Sequence, residues 1–300
     1  MVFIIHDLMS TNQNIQWFPG HMTKTKRMIE ASLKLVDAVV EIKDARIPVS
    51  STNPDIDSLV GHKPRLILLN KCDMADPAAT AKWIDYYSKK GIRALAIDCR
   101  SGKGLGSVVP ECRKLLKAYI EKKQARGIKN PSIRVMIVGI PNVGKSSFIN
   151  KVVKQNRAKV EDRPGVTRGN QWFTLDRGFE LLDTPGVLWP KFEDQLVGER
   201  LAFTGAVKDQ ILDTELLAVR LLDLLKEIKP QKFIERFSLD ADSVGDTDSY
   251  ELLELIGRKR GMLISGGEVN TERASAMLLD EFRDARLGRI TLEFPPKDEV

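Results

Sequence analysis

The sequence predicts an α/β fold, a mostly parallel sheet covered by helices, followed by a small all-helical domain. Over the first two thirds, short apolar runs alternate with amphipathic stretches, the pattern of parallel strands joined by crossover helices. After Leu188-Trp189-Pro190 that alternation stops and broad apolar stripes at helical spacing replace it. A length of 300 residues suits two domains and allows a substantial buried core.

Strands are predicted at residues 38–42, 65–69, 93–97, 133–138, 171–175 and 179–182, each a short apolar run. Helices are predicted between them at 23–35, 77–90, 108–123 and 145–154. The last two strands are joined only by Asp176-Arg177-Gly178, short enough for a hairpin and hence one antiparallel edge. Further on, residues 213–228 carry Leu216, Leu217, Val219, Leu221, Leu222, Leu224 and Leu225, the stripe of a packed helix. Asp248 with Glu251 three positions on marks a helix start, and Asn270 caps a further helix through Arg286. The expected division is an extension over 1–14, an α/β domain over 15–206, a helical domain over 207–286 and a tail over 287–300.

A composition of 42% hydrophobic and 29% charged residues is that of a globular protein. No run approaches the roughly 18 apolar residues of a membrane helix, so no membrane partner is expected. Val2-Phe3-Ile4-Ile5 is too short for a signal peptide and lacks a basic lead. Asp7, Glu30, Asp37 and the scarcity of early arginine argue against a mitochondrial leader, and a cytoplasmic location is expected. Met9, just before a polar stretch, is a candidate true start that N-terminal mass analysis of the native protein would test. Cys72, Cys99 and Cys112 are odd in number and lack metal-like spacing, and read as reduced small residues.

Charge is uneven: residues 1–206 hold 33 Lys/Arg against 21 Asp/Glu, and residues 207–300 hold 14 against 20. The surplus is densest between Arg113 and Arg134, where eight basic residues face only Glu121. Such a cluster attracts phosphate backbones, and it also suits a solvated helix face.

Gly139 to Ser146 follows G-x-x-x-x-G-K-[ST], between the apolar run Val135-Met136-Ile137-Val138 and a helical segment. Main-chain N–H groups of such a loop and the positive helix end surround phosphates, with Pro141, Asn142, Val143, Gly144, Lys145, Ser146 and Ser147 as the expected lining. Lys145 neutralises β and γ oxygens, and Ser146 binds Mg²⁺. Asp183-Thr184-Pro185-Gly186 ends another apolar run; Asp183 is expected to hold Mg²⁺ through water, with the Gly186 N–H sensing the γ-phosphate. Thr167 is the candidate for a second Mg²⁺ hydroxyl on a mobile loop.

Asn70-Lys71-Cys72-Asp73 also closes an apolar run. The Asp73 carboxylate suits the guanine N1–H and amine, Asn70 the ring edge and the loop itself, and Lys71 the base face. Adenine would leave those polar groups unpaired, a discrimination on the order of 10⁴. Asp98 and Cys99 are weaker candidates for a second base loop. The base reader precedes the phosphate loop, the reverse of an ordinary GTPase, and this order implies a circular permutation.

With that order, the chain resembles the YlqF-type circularly permuted GTPases. Trp17-Phe18-Pro19-Gly20-His21-Met22, Asp44-Ala45-Arg46-Ile47-Pro48 and the eight residues from Asp183 to Pro190 are similar to that family's signatures, and the likeness covers roughly residues 15 to 286. It implies a permuted P-loop GTPase domain and a C-terminal helical RNA-binding domain. It also implies action late in assembly of the large (50S) ribosomal subunit, with GTP, GDP and rRNA-containing precursor particles as partners. Val187 stands where ordinary GTPases often carry a water-positioning Gln, so intrinsic hydrolysis is expected to be slow. The resemblance gives His21 the missing catalytic function beside Lys145 and Thr167; a loop-bracing or RNA-contacting His is the alternative. Asn142 resembles the Asn that coordinates K⁺ in cation-activated GTPases, and also suits a turn.

The expectation is a monomeric GTPase that docks on precursors in its GTP form and leaves after ribosome-stimulated hydrolysis. Residues 183–186 run straight into the helical domain, so ordering of 163–169 and 183–190 would move it. The rival readings are a non-catalytic RNA-binding scaffold and a P-loop ATPase or kinase, against which Asp73 argues. In the acidic helical domain, Arg258, Lys259 and Arg260 form the local basic face, suited to RNA or to plain solvation.

Overall fold

The computed structural model describes residues 22–155, 159–161, 171–175, 178–184, 195–207, 213–228, 230–242 and 244–296. The strands are β1 (Ala38–Asp44), β2 (Arg65–Asn70), β3 (Arg93–Ala96), β4 (Ile133–Val138), β5 (Lys159–Glu161), β6 (Gln171–Leu175) and β7 (Phe179–Asp183). They form one sheet in the order β3-β2-β1-β4-β7-β6-β5. The five strands from β3 to β7 run parallel, while β6 pairs antiparallel with both β7 and β5, which gives the expected reversed edge. β5 was not foreseen: three residues, two of them charged, carry no periodic signal.

Helices α1 (Met22–Leu33) and α2 (Ile56–Val60) come first, then α3 (Pro77–Lys89), α4 (Val108–Leu115), α5 (Lys117–Ala125) and α6 (Lys145–Gln155). Alternate residues of the central strands point to opposite faces. Val39, Met136 and Leu182 pack under α1 with Ile29 and Leu33. Val40, Val135 and Leu181 face the other way, toward Cys112 of α4 and Phe148 of α6. Ile67 and Leu69 of β2 pack on Trp83 and Tyr87 of α3. The expected helix over 108–123 is broken at Leu116, so α5 turns away with no fully buried residue.

Helices α7 (Gln195–Phe203), α8 (Thr214–Ile228), α9 (Gln231–Phe237), α10 (Ser249–Lys259) and α11 (Thr271–Arg283) follow. Asp248 and Asn270 cap α10 and α11 as expected, the first accepting from Tyr250 N and Glu251 N, the second from Arg273 N. Ala285, at φ 57°, ends the last helix before the expected Arg286. α8 packs on α10 and α11, and α7 packs on both α8 and α11, so the helical unit begins ahead of Val207. No helix among the described residues is long and apolar enough to cross a membrane.

The closing stretch, expected as a tail, is anchored back onto the α/β domain. Ile290 N donates to Met74 O and Leu292 N to Arg46 O. The buried Glu293 carboxylate accepts from Val49 N at 2.6 Å and from Ser50 N, and pairs with Arg200 at 3.3 Å. Trp83 Nε1 donates to Glu293 O.

Candidate nucleotide site

Parallel strands gather their carboxyl ends on one edge, where ligands bind in open α/β sheets. Here β2 ends at Asn70, β4 leads into Gly139, β7 ends at Asp183, and the turn from Ile97 to Ser101 follows β3. The sheet order therefore puts the Asn70–Asp73 segment and the loop after β4 on the same edge, with only β1 between them.

Asn70 joins them. Its Nδ2 donates to Val143 O in the phosphate loop at 2.7 Å, and its Oδ1 accepts from Cys99 N at 3.1 Å. The side chain is buried and braces three loops, and these two bonds still leave one Nδ2 hydrogen and one Oδ1 lone pair. Gly144 fits against it: at φ +96° the residue is left-handed, and a Cβ would stand 2.3 Å from Asn70 Nδ2. Gly139 is equally confined, 2.8 Å from Ile42 O by the same construction.

Asp98 is buried, and its carboxylate accepts from Arg100 N at 2.7 Å and Ser101 N at 3.0 Å. Burial alone would raise its pKa, but the Ser101 hydroxyl, those two N–H groups and the Arg100 charge together hold it below the ordinary range. Asp98 thus shapes the turn from Ile97 to Ser101, the candidate second base loop, while Cys99 gives its main-chain N–H to Asn70. Asp73 is exposed at the mouth of the base loop. Lys71, at φ 61°, pairs through Nζ with Asp44 Oδ2 at 2.9 Å. Asp44 also holds the buried Arg46 through two hydrogen bonds, at 3.0 and 2.8 Å.

Pro141, Asn142, Gly144, Lys145, Ser146 and Ser147 line an open cleft of about 460 Å³. Lys145 Nζ donates to Thr184 O and lies 3.5 Å from Asp183 Oδ1. Desolvation lowers the Lys145 pKa, and Asp183 only partly opposes it. A buried ammonium with one nearby carboxylate favours further negative charge, as phosphates supply. Asn142, at φ 62°, donates from Nδ2 to Gly205 O at 2.8 Å, tying the phosphate loop to the turn after α7.

A profile described as "50S ribosome-binding GTPase" matches residues 134–243. The chain is similar to ribosome biogenesis GTPase A of Bacillus cereus, 48% identical over 281 residues that cover 94% of each. The chain belongs to the ribosome biogenesis GTPase A family. The Thermotoga maritima protein of the same name is 34% identical, with coverage of 94% and 95%. Mitochondrial ribosome-associated GTPase 1 of Mus musculus is 33% identical, with coverage of 93% and 90%. Among solved structures, a GDP-bound YlqF aligns with a TM-score of 0.64 at 29% identity, covering 90% of this chain and 99% of that one. A GNP-bound YlqF from T. maritima aligns at 0.62 and 29%, covering 91% and 98%.

As a member of the ribosome biogenesis GTPase A family the protein is a GTPase, and Asn70 ties the Asn70–Asp73 segment to the loop that lines its cleft. His21, Thr167, Gly186 and Val187 lie outside the described residues. For the Mg²⁺ that GTPases generally use, the described donors fit. Ser146 is exposed at the first turn of α6, and buried Asp183 Oδ1 accepts no hydrogen bond from the described residues. Both are hard oxygen ligands. No cluster of three His, Cys, Asp or Glu residues able to hold a metal occurs among the described residues, so such an ion would also draw on the phosphates.

Sequence reasoning missed Asp44 and Arg46 as parts of this site. In the sequence they stand only within the family-like run Asp44-Ala45-Arg46-Ile47-Pro48. The one available signal was a pair of opposite charges, Asp44 and Arg46, just beyond the apolar run 38–42.

Proposed function

We propose that this GTPase is an assembly factor for the large ribosomal subunit, docking on precursor particles in its GTP form and leaving after hydrolysis. The carrying observation is the Asn70 side chain, which ties Val143 O to Cys99 N and so makes base reader and phosphate loop one rigid receptor. Asp73 then reads the guanine edge, Lys71 lies along the base, and Asp98 and Cys99 close the far side. Lys145, the loop N–H groups and Ser147 hold the phosphates, and Gly186 senses the γ-phosphate.

Mg²⁺ held by Ser146, Thr167 and Asp183 would offset charge on the β and γ oxygens. During hydrolysis water attacks the γ-phosphorus and the bond to the β–γ bridging oxygen breaks, giving GDP and phosphate. Lys145 stabilises the charge that develops there. Val187 orients no water by hydrogen bonding, so turnover is slow until a docked particle positions His21 or a group of its own. K⁺ beside Asn142 would add a further positive charge. The large-subunit reading draws support from the "50S ribosome-binding GTPase" description of the matching profile. We place the reaction in the cytoplasm, with a monomer as the working unit.

The test is GTP turnover measured alone, with large subunits and with small subunits. Stimulation by the large subunit alone is expected. Turnover unchanged by either would leave a GTP-dependent RNA-binding scaffold as the better reading.

A further inference from the structure

The family order of loops implies a joint. In an unpermuted GTPase the chain would begin at β4 and finish beyond the loop after β3, so the stretch following α4 is what connects those two points here. That joint, residues 117–134, holds Lys117, Lys122, Lys123, Arg126, Lys129 and Arg134 against the single acid Glu121. It is also weakly attached to the fold. α5 has no buried residue and touches the core only through the partly buried Tyr119 and Ile120, residues 124–130 are all exposed, and burial resumes at Pro131 and Ile133 where β4 begins. A polar helix at the surface, joined by a basic exposed loop, contributes little to the core.

Its position is fixed by the sheet. Residue 133 opens β4, so the joint lies at the amino edge of the parallel strands, opposite the nucleotide cleft. The six residues of β4 separate the two by about 20 Å at 3.3 Å per residue. Between α5 and the start of β4 runs a groove of about 160 Å³, lined in part by Tyr119, Lys123, Ser132 and Arg134 and by Asp37, whose carboxylate accepts from Arg134 N at 2.8 Å. Arg134 is tethered to Glu180 at 3.2 Å, Lys123 lies over the Tyr119 ring at 5.3 Å and Lys117 stands 3.9 Å from Glu121, which leaves Lys122, Arg126 and Lys129 as the outward charges. The helical domain is a poorer dock for a polyanion: it is acidic overall, Lys259 donates to Ser238 O, and Arg260 stacks on Phe237 and pairs with Glu281.

We infer that the permutation joint, residues 117–134, is an RNA-docking surface that takes the phosphate backbone of ribosomal RNA on the side of the sheet opposite the nucleotide. This rests on the large-subunit reading. Contacts of this kind follow counterion release and carry no sequence preference. The surface therefore anchors the GTPase domain while the opposite edge stays open for nucleotide and for the trigger of hydrolysis.

The test uses the full chain with a GTP analogue and the combined variant Lys122→Gln, Arg126→Gln and Lys129→Gln. Binding is measured from 50 to 300 mM KCl to naked large-subunit rRNA and to large-subunit particles, with GTP affinity and thermal midpoint as controls. The expected result is at least tenfold weaker binding to both targets, a salt slope smaller by about 2 to 3, and unchanged controls. Unchanged affinity and slope would overturn the inference while wild-type binding to particles keeps the large-subunit reading. Loss toward particles but not toward naked rRNA would overturn it in favour of a ribosomal-protein contact. Wild type binding neither target would overturn both.

Discussion

Two side chains of the base loop have different tasks, and substitution separates them. Asn70→Ala would orphan the Val143 carbonyl and the Cys99 N–H, both buried, at about 1–3 kcal/mol each. Asn70→Ala should therefore lower the thermal midpoint and GTP affinity together. Asp73→Ala, at an exposed position, should lower GTP affinity and leave the midpoint in place. Calorimetry with and without GTP reads both quantities. Lys145→Ala should weaken GTP binding by about 2–5 kcal/mol, or roughly 30-fold and more, because a desolvated charge pairing is lost. Asp44 carries a pH signature. Burial pushes its pKa up, yet Arg46 and Lys71 outweigh that and hold it far below the carboxylate range. Its ionised form then contributes fully above the unfolded value of about 3.9 and progressively less below it. Asp44→Asn should cost about 3–5 kcal/mol at pH 7, and the gap to wild type should narrow in urea titrations at pH 3. The nucleotide loops were legible because each is a contiguous string whose chemistry is local. The Asp44 and Arg46 pairing was not, since its importance comes from Lys71 and from Arg283 O, 237 positions away.

Most sheet elements stood in the sequence within a residue or two, since apolar runs and their spacing report burial directly. Exceptions have physical causes. β1 continues past its apolar run into Lys43 and Asp44, because buried partners satisfy both: Tyr87 OH accepts from Lys43 Nζ, and Arg46 pairs with Asp44. Helix α5 departs from α4 because its own face is too polar to follow the core. The closing segment had no periodicity to read, yet Arg289 donates to Cys72 O at 2.7 Å and to Ala75 O at 3.0 Å, gripping the base loop itself. Glu293→Ala would leave Arg200 and two main-chain N–H groups without their carboxylate. The expected cost is about 3 kcal/mol or more, read by urea denaturation and accompanied by a shift in Trp83 fluorescence.

Across the whole molecule, hydrogen bonds among the described residues cross the boundary between the α/β domain and the helical unit. Asn142 reaches Gly205 O and Arg46 donates to Arg283 O across it, and within the helical unit Arg283 of α11 donates to Ala202 O and Phe203 O at the end of α7. Phosphate loop, helical unit and base loop thus form a closed circuit of polar contacts. A nucleotide that displaces Asn142 from Gly205 O would loosen one side of it, a local change with a global readout. Turnover of Asn142→Ala in KCl and NaCl separates two roles: a K⁺ ligand predicts loss of a potassium advantage, a structural clamp predicts none to lose. The central claim is that nucleotide state governs attachment to the large-subunit precursor. Co-sedimentation with precursor particles, in a non-hydrolysable GTP analogue and in GDP, tests it most directly: several-fold greater retention with the analogue is predicted, and equal retention would contradict the account.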